Sequence, residues 1–132
     1  MIVIDASALV ELLVGGTPRA ATLAARVLHA NESLHAPHLI DLEIASVLRG
    51  LEARGLLSAA DATRAIADLA SLDIARYAHD LLLPRIWQLR ANVTAYDAAY
   101  VALAENLGAP LVTCDARRAA APGTRGRVEL FR

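Results

Sequence analysis

Lysine is absent from this 132-residue chain, and all thirteen of its basic residues are arginine. A phosphate-receiver site, which pairs strand-end carboxylates with a lysine near the last strands, is therefore disfavoured. The single cysteine, Cys114, excludes an internal disulfide framework and a cysteine-based zinc cluster. Phenylalanine and tryptophan occur once each, so the core must be filled mainly by aliphatic and small side chains, a composition that suits closely packed helices. No uninterrupted apolar run approaches the ~18 residues of a membrane-spanning helix. The N-terminus passes from Met1 directly into Ile2-Val3-Ile4 and Asp5, without the basic start and long apolar stretch of a secretory signal. These absences give the expectation of a cytoplasmic protein with no membrane partner. A charge excess of one sign is lacking too. The formal net charge is -1, which carries no nucleic-acid signal by itself. Five arginines (Arg117, Arg118, Arg125, Arg127, Arg132) nevertheless crowd the C-terminal end, where they suit a phosphate backbone, an acidic partner or plain solvation.

Apolar residues make up 56% of the chain, enough for one core, and the length suits a single domain over residues 1–132. Met1 to Ile4 reads as a buried strand ended by Asp5. Ala8 to Val14 reads as a helix broken by Gly15-Gly16. A helix from Pro18 to about Ala30 is capped by Thr17. Leu34-His35-Ala36 is a second strand, and a helix opens at Pro37 or His38 and runs to Arg54 before Gly55. Ser58 caps a helix to about Leu69 with Asp61 in the capping-box position. Leu72 to Ala75 is a third strand. Ala78 to Arg90 is helical in pattern with a break at Pro84. Thr94 caps a helix from Ala95 to Leu107 that ends at Gly108. Leu111 to Thr113 and Val128 to Phe131 complete the strands. Short apolar strands alternating with helices predict an α/β fold with a central, mostly parallel sheet of four or five strands covered on both faces.

Four acids stand out. Asp5 and Asp115 follow apolar strands, and the C-terminal ends of parallel strands form the ligand-binding edge of such sheets. Glu43 shares a helix face with Leu39, Ile40 and Val47, so it must be buried or at the rim of the core and needs a partner. Asp41, about 200° away around that helix at the usual 100° per residue, faces solvent or caps the helix. Asp97 lies in the first turn of its helix, with Tyr100, Val101 and Ala104 at the spacings of an inward face. Converging carboxylates repel one another, and one or two divalent cations relieve that conflict. An all-oxygen donor set suits Mg²⁺ or Mn²⁺. Ser7 and Thr113 are placed to hydrogen-bond the carboxylates. Each acid also has a bland reading as strand end, helix cap, turn residue or partner of an arginine. The four histidines show no ligand spacing, and Cys114 has no evident partner for nucleophilic chemistry. Trp87, Ile86 and the leucines around them are expected in the core or at a dimer interface.

The chain resembles the PIN-domain family, and within it the VapC-type toxin ribonucleases of bacterial toxin–antitoxin pairs. The resemblance rests on Val3-Ile4-Asp5-Ala6-Ser7-Ala8-Leu9, on His38 to Leu48 with Glu43, on Thr94 to Glu105 with Asp97, and on Pro110 to Arg117 with Asp115. It implies a PIN-like three-layer α/β/α fold. It also implies an Mg²⁺- or Mn²⁺-dependent endoribonuclease that cuts structured RNA such as tRNA or rRNA by a metal-activated water. Asp5, Glu43 and Asp97 would be the main metal ligands, with Asp115 a direct or water-mediated one. Further implications are a homodimer, and a VapB-type antitoxin that blocks the site and carries the complex to operator DNA. Arg90, Arg117 and Arg118 are candidate contacts for RNA phosphates. The competing readings are a catalytically silent module of this fold that binds RNA or protein, and an Asp-nucleophile phosphatase. The latter would want Asp-x-Asp after the first strand, where this chain has Asp5-Ala6-Ser7.

Overall fold

The computed structural model describes residues 1–132. Five short strands, β1 (Ile2–Ile4), β2 (Leu34–Pro37), β3 (Ile74–Tyr77), β4 (Leu111–Thr113) and β5 (Val128–Leu130), form one sheet in the order β3-β2-β1-β4-β5. Every neighbouring pair is parallel, as the alternation of strands and helices predicts. The chain builds outward from β1 through β2 to β3, then returns to the other side of β1 to lay down β4 and β5. Strand order thus reverses between β1 and β4, and the carboxyl ends of such a strand pair border a crevice.

The helices are α1 (Ala6–Val14), α2 (Pro18–Val27), α3 (Ile40–Ala53), α4 (Ala59–Ser71), α5 (Leu83–Gln88), α6 (Ala95–Leu107) and α7 (Ala116–Ala119). Helix α1 packs on α2, α3 and α4, while α6 packs on α5 and along β1, β2 and β4. β1 is buried at each of its residues, as a central strand covered on both faces must be. Residues Ala98 to Ala104 of α6 are all buried. A helix buried on every side needs small residues where its neighbours press closest, and here four of those seven positions are alanine. Gly108 ends α6 at φ +61°, the left-handed conformation that glycine adopts without steric cost.

Several boundaries differ from the sequence reading. Helix α1 starts at Ala6, two residues early, because Asp5 itself is the cap and accepts the Ala8 N–H. Helix α2 stops at Val27, short of Ala30. Pro37 belongs to β2 opposite Tyr77, and His38 N–H donates to the Tyr77 carbonyl at 2.8 Å, so α3 begins only at Ile40. Helix α4 continues to Ser71, which moves β3 two residues along the chain. Pro84 does not interrupt a helix. It occupies the first turn of α5, where its missing N–H costs nothing. The one-turn α7 was not anticipated.

Candidate functional site

Asp5 leaves β1 at the strand-order reversal and is fully buried. Its Oδ1 accepts the Ala8 N–H at 3.0 Å and the Ser7 hydroxyl at 2.6 Å. Ser7 Oγ in turn accepts the Cys114 N–H at 3.0 Å and lies 3.3 Å from Thr113 Oγ1. Because the Ser7 proton goes to Asp5, the Thr113 hydroxyl must donate to Ser7. Thr113 Oγ1 also accepts the Asp115 N–H at 2.9 Å. The ends of β1 and β4 are therefore joined by a run of hydroxyls that fixes the orientation of the Asp5 carboxylate. The sequence reading expects both hydroxyls to bond the carboxylates; Ser7 bonds Asp5, whereas Thr113 bonds Ser7 and the Asp115 N–H.

The second oxygen of Asp5 meets the guanidinium of Arg118, and the same guanidinium reaches Oδ1 of Asp97. Asp97 arrives from the first turn of α6, held there because the Thr94 hydroxyl accepts the Asp97 N–H at 3.2 Å. Arg118 is expected in the sequence as a surface contact for RNA, and the structure corrects this: only 7% of its side chain is exposed. Helix α7 directs it inward, its Cζ 4.9 Å from the centre of the Tyr100 ring. Burial by itself would lower the Arg118 pKa, but Asp5 and Asp97 more than reverse that, so the group stays charged. Its Nε is buried without a hydrogen-bond partner.

Glu43 projects from α3 toward the same place. Its Oε1 accepts the Tyr100 hydroxyl at 2.6 Å. Burial raises its pKa above the usual carboxylate value, and Asp97 and Asp5 add to the rise against the opposing influence of Tyr100 and Arg118. Tyr100 is fully enclosed, and burial followed by the Glu43 carboxylate pushes its pKa far above the ordinary tyrosine value. Its hydroxyl is thus a fixed donor. Sequence reasoning used Tyr100 only as an apolar neighbour of Asp97. The available signal was the rule that a buried tyrosine needs a partner for its hydroxyl.

Asp115 stands apart from this group in its bonding. It caps α7, its Oδ1 accepting the Arg117 N–H at 2.9 Å, and it is partly exposed. Arg117 itself is almost wholly exposed, with Nε 3.6 Å from Asp115. Arg90 is exposed and lies over the Trp87 ring at 4.5 Å. Of the residues expected in the core or at a dimer interface, Leu82, Ile86 and Leu89 are buried in the core, whereas Trp87, Leu81 and Leu83 are exposed. Asp41, expected at the solvent side or as a cap, forms a two-pronged pair with Arg76 at 2.7 and 2.8 Å. His79 was given no role by the sequence, yet it accepts the Leu39 N–H just ahead of α3 at 3.0 Å.

As the side chains stand, no group of three or more His, Cys, Asp or Glu residues is arranged to hold an ion. The donor chemistry does fit a hard divalent cation. Asp5 and Asp97 converge closely enough for one guanidinium to touch both. Glu43 faces the same pair, and every donor is oxygen. A positive charge already sits where these carboxylates meet.

The comparisons agree with this architecture. Ribonuclease VapC9 of Mycobacterium tuberculosis is 50% identical over 117 residues, covering 89% of this chain and 87% of the relative. Ribonuclease VapC12 of the same species is 41% identical over 130 residues and 98% of each chain. Among solved structures, Mycobacterium tuberculosis VapC20, described as a sarcin-ricin loop cleaving toxin, superposes with a TM-score of 0.72 at 18% identity over the full length of both chains, which bears on the fold alone. The family model of the PIN domain matches residues 2–123, and with those relatives it makes this chain a member of the PIN-domain family whose curated kin are VapC ribonucleases.

Proposed function

We propose that this protein is a VapC-type endoribonuclease toxin that hydrolyses phosphodiester bonds in structured RNA with Mg²⁺ or Mn²⁺. The observation that carries the reading is the convergence of Asp5 and Asp97 on one buried cation where the strand order reverses, with Glu43 facing the same pair. The two ribonucleases named above are more than 40% identical over most of their length, which supports the same reaction class. Asp5, Glu43 and Asp97 would hold the ion, and Asp115 would reach it directly or through water. A bound divalent cation supplies an activated water and charge stabilisation at the scissile phosphate. The chain's own residues provide the setting. The Ser7 and Thr113 hydroxyls orient Asp5, Tyr100 fixes Glu43, and the Thr94 cap fixes the helix turn that presents Asp97. A looped or single-stranded RNA suits so small an edge better than a duplex does, with Arg117 as an exposed phosphate contact beside it.

Two partners belong to the same proposal. Exposed Leu81, Leu83 and Trp87 supply apolar surface for a homodimer or for a VapB-type antitoxin. Operator DNA would be reached only through the antitoxin. The test is cleavage of total RNA by purified, partner-free protein with Mg²⁺, Mn²⁺ or EDTA, beside Asp5→Asn. Discrete fragments that require both the metal and Asp5 are expected. Metal binding by folded protein without cleavage of any RNA would favour the silent binding module instead.

A further inference from the structure

Arg118 is the most unusual charged group in the molecule. A guanidinium from α7 crosses to β1 and α6 and becomes the shared partner of Asp5 and Asp97. It is more than nine-tenths buried. Nothing in the hydrolytic chemistry described above uses it. Its placement has two sides. It neutralises carboxylates that would otherwise repel one another. It also holds the oxygens that a metal ion needs.

We propose that Arg118 is a built-in counter-ion of the acidic site, one that competes with the divalent cation for Asp5 and Asp97 and must leave them for the metal to bind. This inference rests on the metal-dependent reading of the site. The oxygens that face Arg118 are the second oxygen of Asp5, its first being committed to Ser7 and Ala8, and one oxygen of Asp97. A cation ligated by Asp5 would take the same free Asp5 oxygen. Arg118 is also incompletely satisfied where it sits. Its Nε has no acceptor, so part of its hydrogen-bonding capacity is unmet in the paired state and is recovered on release toward water. The side chain comes from a four-residue helix near the C-terminal end, so it can be withdrawn without moving β1 or α6.

Competition of this kind reduces apparent metal affinity by the fraction of molecules in which the acids are free. An arginine bridge formed ~90% of the time or more would weaken binding about tenfold or more. The experiment titrates metal-free protein with Mn²⁺ alone and reads free Mn²⁺ by electron paramagnetic resonance. The proteins compared are the wild type, Arg118→Gln, Arg118→Lys, Asp97→Asn and, as a control for losing one positive charge from the same helix, Arg117→Gln. Arg118→Gln is expected to bind Mn²⁺ about tenfold tighter or more. Arg118→Lys, which keeps the charge but cannot span two carboxylates, should fall between it and the wild type. Arg117→Gln should shift affinity far less, and Asp97→Asn should lose the site. Equal or weaker binding by Arg118→Gln, with a wild-type site that Asp97→Asn abolishes, overturns the inference and leaves the metal site standing. The same holds if Arg117→Gln matches Arg118→Gln. Absence of Mn²⁺ binding from every variant removes the metal reading and the inference together. Should Arg118→Gln not fold, Mg²⁺ titration of wild-type protein followed through the Arg118 Nε–H resonance decides the point. A resonance that changes as the ion binds supports displacement, and one unmoved at saturation refutes it.

Discussion

Replacing Tyr100 with phenylalanine deletes one oxygen from the centre of the site and nothing else. The ring is fully buried and still packs beneath Arg118 after the change. What is lost is the hydroxyl donated to Glu43 at 2.6 Å. A hydrogen bond to a charged acceptor contributes ~1.5–3 kcal/mol. Glu43 is only partly buried, so its freed oxygen regains some water, and the lower end of that range applies. For a domain of this size 1 kcal/mol moves Tm by about 3–5 °C, so Tyr100→Phe should lower Tm by roughly 5 °C or a little more. The cost must also depend on pH in a fixed direction. Glu43 has a folded pKa above its unfolded value, so its contribution is fully present below the unfolded value and is lost as pH rises through the folded one. Removing Tyr100, which holds that pKa down, enlarges the loss, so the penalty should be greater at neutral pH than in acid. Urea unfolding of metal-free protein at both pH values measures it, and the same substitution in a Glu43→Gln background isolates the pair. An undiminished penalty in that background, or none in the wild type, would refute the assignment of Tyr100 as the group that fixes Glu43.

Further outcomes follow from other elements. His35 is buried, with Ser33 Oγ at 2.8 Å from Nε2 and Tyr77 Oη at 2.7 Å from Nδ1. Burial, helped by the N-terminal charge, lowers its pKa. Its contribution is present above the ordinary histidine value and is lost as pH falls through the lower folded value. Wild-type urea midpoints should therefore drop between neutral pH and pH 5 more steeply than those of His35→Gln. Thr94→Ala removes the cap of α6 and should cost ~1 kcal/mol in urea unfolding. It should also loosen the turn that presents Asp97, seen as faster amide exchange there. Leu103→Ala, at a fully buried position of α6, should cost ~2–5 kcal/mol, well beyond the cap, if α6 is the central packing element.

The sequence by itself determined the five strands and the longer helices, though not the one-turn α7. β-branched and aliphatic runs ended by Asp5 and preceding Asp115 can only be buried strands with acids at their carboxyl ends. Thr17, Ser58 and Thr94 announce helix starts because their hydroxyls have local N–H groups to accept, and capping is complete within four residues of chain. Glu43 on an apolar helix face and Asp97 in a first turn follow from periodicity, so these two acids could be aimed inward before any fold was known. Only the tertiary structure decided what those acids meet. Arg118 lies more than a hundred residues from Asp5 in a tail whose arginines suit phosphate, an acidic partner or solvent alike, and no local pattern distinguishes it from exposed Arg117 beside it. A one-turn helix turns one of the two into the core and the other outward. Its cap, Asp115, is one of the four acids that the sequence assigns to the metal. The hydroxyl run from Asp5 to Thr113 likewise exists only because β1 and β4 are neighbours, and that adjacency is a property of strand order. Local sequence sets which groups must be buried, because burial follows period and polarity. Which charge neutralises a buried carboxylate depends on what the fold brings within about 3 Å of it, and that choice is made across the whole chain.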